Sequence, residues 1–221
     1  MRTRSILWLV LLATAPLVLA QMSQVTLVLY SGQQHLIRYD YDGSSAARSL
    51  ANVIGSQVPP GSTFIEFDPV AQAYRPAITR DTEGSWGPRG TTVLQRGTAY
   101  WLGIPPVDGI WVLTNSYTVT LTGDVPVSNL TMVCKPLWGA VGYPYPVDRL
   151  FTNTQYAKIV ANGSQMILWD ASSQTFLPPA SKTKIAGWTA PASTSVLTAG
   201  QGYFLRSASA AATNIVETKP Y

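Results

Sequence analysis

The chain has 221 residues, of which 46% are hydrophobic and 12% charged, with a formal net charge of +4. The positive excess is small and forms no basic cluster, which argues against nucleic acid as a partner. The 16 prolines and 17 glycines are spread along the whole length and exclude a helical bundle.

Met1-Arg2-Thr3-Arg4 places two positive charges ahead of the apolar run Ser5–Leu12, and Val18-Leu19-Ala20 supplies small residues at a cleavage position. This reads as a secretory signal peptide over residues 1–20, cut after Ala20. Thr14 and Pro16 break the apolar run, which is short for a membrane span, so no stable membrane anchor is expected after cleavage. Loss of Arg2 and Arg4 leaves thirteen basic residues against eleven acidic ones. The expected location is secreted, periplasmic or cell-surface.

Val25–Tyr30 is β-prone, with Val25, Leu27 and Leu29 on one face and Thr26, Val28 and Tyr30 on the other. His35–Tyr41 predicts a second short strand. Ser44–Ile54 predicts a short helix with a serine cap, ended by Gly55. Thr63–Asp68, a turn over Pro69–Gln72 and Ala73–Pro76 predict a hairpin, with the Asp68 carboxylate capping the turn. Gly97 stands where a turn needs positive φ before the strand Ala99–Gly103. Across Gly109–Gly123, apolar residues alternate with Thr and Ser, which predicts an antiparallel strand with one wet face. Thr131–Lys135 predicts a strand with Cys134 buried in it. This is the sole cysteine, so no internal disulfide forms and burial must hold the fold.

Much of this pattern is then written again. Gly61–Asp68 returns as Gly163–Asp170, and Gln72, Tyr74, Pro76 and Trp86 return as Gln174, Phe176, Pro178 and Trp188 at one constant offset. Val93–Leu102 returns as Val196–Leu205, one residue further on. Val147–Phe151 stands where the first helix would repeat, and Asn214–Glu217 predicts the closing strand. A period this long with two copies marks a duplicated domain-sized unit. The reading is all-β with one short helix per repeat: two tandem, similar antiparallel sandwich or barrel-like repeats over residues 21–126 and 127–221.

Gly187-Trp188, Val196–Leu205 and Trp169-Asp170, with weaker counterparts in the first copy, resemble a class of exported bacterial duplicated β-repeat proteins without a settled function. Copy one departs from the pattern at Ser85 and Ala99. The resemblance implies the fold and export, and nothing about chemistry.

Nucleophilic catalysis needs a base beside the nucleophile, and His35 is the sole histidine. A Cys134–His35 pairing is the one such combination; the plain alternative is an exposed histidine at a polar strand end. Asp68 and Asp170 recur at one position, which favours turn capping over a converging catalytic pair. Asp40-Tyr41-Asp42-Gly43 partly matches a calcium loop but lacks the later acid, so an Asp-Gly turn is expected and neither metal nor cofactor is implied. Tyr143-Pro144-Tyr145-Pro146 reads as an exposed-looking, stiff entry into the second helix. The expected function is a non-catalytic exported structural or surface protein acting through protein–protein contacts. Its partners would be itself or other envelope proteins, met through Val25–Tyr30. The alternative is a carbohydrate-binding module that stacks extracellular polysaccharide on Trp86 and Trp188, both in Gly/Pro-flanked loops; the rival role for these two is plugging the sheet ends.

Overall fold

A computed structural model of the chain describes residues 22–107 and 115–220. The first half contains β1 (Met22–Tyr30), β2 (Gln34–Arg38), α1 (Leu50–Val53), β3 (Thr63–Asp68), β4 (Ala73–Tyr74), β5 (Ile78–Thr79), β6 (Ala99–Gly103) and β7 (Ser116–Asp124). The second contains β8 (Leu130–Cys134), β9 (Trp138–Val141), β10 (Arg149–Leu150), α2 (Gln155–Ile159), β11 (Gln165–Ile167), β12 (Trp169–Asp170) and β13 (Thr175–Phe176). It continues with β14 (Ala180–Thr183), β15 (Gly187–Trp188), β16 (Val196–Leu197), β17 (Tyr203–Arg206) and β18 (Thr213–Glu217). The protein is all-β, built from antiparallel pairings with two short helices.

The halves use matching connections. In each, the first strand pairs the last: β1 with β7, and β8 with β18. In each, the next strand pairs a central strand that also pairs the hairpin strand: β2–β6–β3 and β9–β17–β11. Strand β7 shows why the alternation folds this way. Val119 and Leu121 are buried, whereas Ser116, Thr118 and Thr122 are exposed. Of the strand expected over Gly109–Gly123, residues 109–114 lie outside the described residues.

Both helices are shorter than expected or displaced, for identifiable reasons. Ser49, not Ser44 or Ser45, caps α1, its hydroxyl accepting the Asn52 N–H, and residues 45–48 form turns. Val147–Leu150 is not helical, because Arg149 and Leu150 are drawn into pairing with β16, and Phe151 opens a 3-10 turn that runs to Asn153. The helix comes later, where the Thr154 hydroxyl accepts the Ala157 N–H.

The two halves interlock. Ile37 on β2 bridges to Gln201, just before β17, and Val141 on β9 bridges to Thr98, just before β6. The Arg38 N–H donates to the Gly200 carbonyl at 2.8 Å, and the Gly142 N–H donates to the Gly97 carbonyl at 3.0 Å. With β2–β6 and β9–β17 already paired, these links close the four strands into a ring. Gly97 and Gly200 have φ of 78° and 80°. A Cβ on Gly97 would lie 2.6 Å from Met132 Sδ, and one on Gly200 would lie 2.7 Å from Leu27 Cδ2. Each glycine turn is thus roofed by the first strand of the other half, which leaves no room for a side chain.

Each half has its own apolar core, and a third cluster of Leu36, Ala99, Trp101, Ala140 and Phe204 lies between the sheets. Phe67 and Trp169, the matched hairpin positions, both pack against this shared cluster. The Trp101 and Trp169 rings meet edge-on at 4.8 Å, and Phe67 meets Phe204 edge-on at 5.5 Å.

Gln72 and Gln174 add a reciprocal clamp. Both are non-glycine residues at φ 52°. Gln72 Nε2 donates to the Trp138 carbonyl at 2.8 Å, and its Oε1 accepts the Trp138 N–H at 3.1 Å. Gln174 Oε1 accepts the Gln34 N–H at 2.8 Å, and its Nε2 donates to the Gln34 carbonyl at 3.1 Å. Each side-chain amide thus pairs with the opposite half's strand as a backbone amide would.

Candidate functional site: the outer edge of the first strand

Strand β1 pairs β7 over nine residues in antiparallel register. In such a ladder, the backbone groups of alternate residues point away from the partner. The neighbours fix which residues those are. Thr120 N–H donates outward to Gln57 Oε1 at 2.7 Å, and the Thr122 carbonyl accepts outward from the Tyr39 hydroxyl at 3.0 Å. Their partners across the ladder are Thr26 and Gln24. The outward set on β1 is therefore Gln24, Thr26, Val28 and Tyr30.

The two outer edges of this ribbon differ. On β7, Gln57, Tyr39 and Asp42 take the outward groups of Thr120 and Asp124 and the Thr122 carbonyl, and among the described residues none takes those of Thr118. On β1, the Tyr30 N–H donates to His35 Nε2 at 3.1 Å. Among the described residues, no group takes the outward N–H or C=O of Thr26 or Val28. Val28 is 52% exposed and Tyr30 40%.

Two adjoining clefts of about 560 and 220 Å³ run beside this edge and share Val28, His35, Trp169, Ala171 and Gln201. Leu27, Val28 and Leu29 all line the smaller one. Residues from both faces of β1 can line one cleft only if the strand turns its backbone edge toward it. The opposite wall is the turn over Asp170–Ser172 and the segment Thr198–Gln201, both from the second half. Trp169 is held there by its indole N–H, which donates to the Gln34 carbonyl at 2.8 Å.

Among the residues that line the two clefts, Asp170 carries the one formal charge. Asp170 Oδ1 accepts the Ser172 N–H and hydroxyl, and Oδ2 accepts the Ser173 hydroxyl. The Ser172 and Ser173 hydroxyls, with the Ser172 N–H, hold this carboxyl down at about 2. His35 accepts with Nε2 and is therefore neutral, and burial lowers its pKa despite the Tyr30 contact. The counterpart cleft in the second half, about 310 Å³ along Leu130–Lys135, is lined by Glu66, Arg96 and Lys135 instead.

The residues singled out in the sequence fall as follows. Trp86 and Trp188 are 4% and 7% exposed, which corrects the expectation that they offer open ring faces. Their indole N–H groups donate to the carbonyls of Gly55 and Ala157, beside or within the two short helices. Trp188 lies on β15 and Trp86 directly precedes a 3-10 turn at Gly87–Thr91, and both rings fold inward. His35 is 6% exposed, not an open strand-end histidine, and it lines a different cleft from Cys134, so the structure does not pair them. Cys134 is buried and free.

Asp68 Oδ1 accepts the N–H groups of Val70 and Ala71, and these bonds lower its pKa. Asp40 is ion-paired to Arg38 at 2.8 Å and Asp42 to Arg96 at 2.8 Å, so arginines occupy the carboxylates of the calcium-like stretch. Among the described residues, no group of three or more His, Cys, Asp or Glu side chains is arranged to hold a metal. Tyr143 and Tyr145 are fully buried rather than exposed, packed at the Arg38 and Arg96 guanidinium groups.

The site residues that sequence reasoning missed are the amides of Gln57, Gln72 and Gln174. The matched positions of Gln72 and Gln174 were a visible signal; Gln57 left none. No family model, no curated protein and no solved structure matches this chain.

Proposed function

We propose that this chain is a non-catalytic exported protein that works by protein–protein contact, with β1 accepting a partner rather than being donated to one. The observation that carries this reading is the open outer edge of β1 at Thr26 and Val28 beside a formed cleft. Donation of β1 would require breaking its nine-residue pairing with β7 and removing Val25 and Leu29 from the core. Export rests on the leader-like residues 1–20.

The carbohydrate alternative loses its two carrier residues, since buried rings cannot stack on a sugar. The test is a photo-crosslinking residue placed at Val28, with controls at the exposed Val133, Val216 and Ile185, in the cell that exports the protein. The reading predicts a crosslinked protein that binds the purified chain when the pair is reconstituted. Absence of any reconstitutable protein partner from all four positions contradicts it.

A further inference from the structure

Building on that contact reading, we infer that the cleft beside β1 is a slot for one extended polypeptide segment without acidic residues, which adds to β1 as a third strand. Thr26 and Val28 each offer an outward N–H and C=O, one above the other on the same edge. Two such residues supply four hydrogen bonds at the spacing of a β ladder, which a polypeptide backbone matches. Tyr30 sets the end of the slot, because His35 already takes its N–H. Of the outward residues, Val28 and Tyr30 line the clefts, and Gln24 and Thr26 continue the same edge beyond them, so the added strand enters at Val28 and runs toward the N-terminal end of β1.

The walls select the side chains. Alternate side chains of an added strand point to opposite faces, so every second one meets the half-buried Trp169 and Ala171 wall. No lysine or arginine lines the slot, and the one acid, Asp170, is bonded to Ser172 and Ser173. An acidic segment finds no counter-charge there and is repelled by the Asp170 carboxylate, which its neutral serine and N–H donors keep ionised. The counterpart cleft along β8 carries Glu66, Arg96 and Lys135, so the two slots differ in what they admit.

The probe is a displayed library of random ten-residue peptides selected on the purified mature chain. An enriched peptide is then labelled and followed by fluorescence anisotropy. Val28→Pro removes an outward N–H while leaving the β7 ladder intact, since proline is tolerated where the N–H faces away from a partner. Ala171→Tyr fills the slot from the opposite wall and serves if the proline variant does not fold.

The inference predicts enriched peptides free of acidic residues, with affinity lowered at least tenfold by either variant and an unchanged unfolding midpoint. Enrichment of acidic peptides, equal binding to a folded variant, or displacement of the peptide by a polysaccharide panel overturns it, as does failure to enrich any peptide. Should the Val28 crosslinking partner bind a folded Val28→Pro or Ala171→Tyr chain undiminished, the slot falls while the protein-contact reading stands. Peptides that bind the slot when no position yields a cellular partner give the converse.

Discussion

Replacing Gln72 by alanine removes two hydrogen bonds between the halves, to the Trp138 carbonyl at 2.8 Å and from the Trp138 N–H at 3.1 Å. Each contributes about 1 kcal/mol net, so Gln72→Ala should cost about 2 kcal/mol. The position also sits at φ 52°, where a non-glycine residue bears about 1 kcal/mol of strain. Gln72→Gly loses the same two bonds but relieves that strain, so it should be about 1 kcal/mol more stable than Gln72→Ala. The matched Gln174→Ala should behave like Gln72→Ala, and the double variant should lose roughly the sum, about 4 kcal/mol, because the two clamps share no partner. Urea unfolding followed by tryptophan fluorescence and far-ultraviolet circular dichroism measures all four variants. A Gln72→Ala cost below roughly 0.5 kcal/mol, or a glycine variant weaker than the alanine one, refutes the clamp.

Gly202→Ala would place a Cβ 2.3 Å from Ala99 Cβ, across the contact between halves, and should destabilise by about 1–3 kcal/mol in the same urea assay; a neutral result contradicts the close approach. Burial raises the Asp40 carboxyl from 3.8 to about 6, against the opposing pull of Arg38. A raised folded pKa means stability present at low pH and lost as pH rises through 6. The native protein should therefore lose stability between pH 4 and pH 7.5, and Asp40→Asn should abolish that part of the slope. Burial of Glu217 acts in the same direction, which is why the comparison with the variant matters. Equal slopes in both proteins contradict the assignment. Cys134 is buried and its thiol is pushed up by that burial, so Ellman's reagent should label it at the rate of unfolding and not before; fast labelling of the native protein contradicts its placement.

The hairpins, the alternation along β7 and the two glycine turns were legible because each is fixed by residues close together in the chain. Asp68 and Asp170 meet their own turn N–H groups, and Gly97 and Gly200 meet a local need for positive φ. The joining of the halves was not legible. It rests on backbone bonds such as Arg38 to Gly200 and on amide clamps reaching from Gln72 to Trp138, far apart in sequence. A repeated glutamine signals shared work without naming its partner. Trp86 and Trp188 admitted two readings, an exposed ring face or a plug, and their neighbouring glycines and prolines do not decide between them; the carbonyls of Gly55 and Ala157 that accept the indole N–H turn the rings inward. The slot beside β1 was out of reach because its walls come from both halves. The open edge itself is defined by what Gln57, Tyr39 and His35 do to the neighbouring backbone groups.

Residue-resolved amide hydrogen exchange along β1 tests the open edge most directly. The inward N–H groups of Val25, Leu27 and Leu29 should exchange slowly, behind the β7 ladder, whereas those of Thr26 and Val28 should exchange far faster, giving a two-residue alternation in protection. Uniform slow exchange across all five amides would mean that the outer edge is already occupied, and the account of how this protein meets a partner would fail.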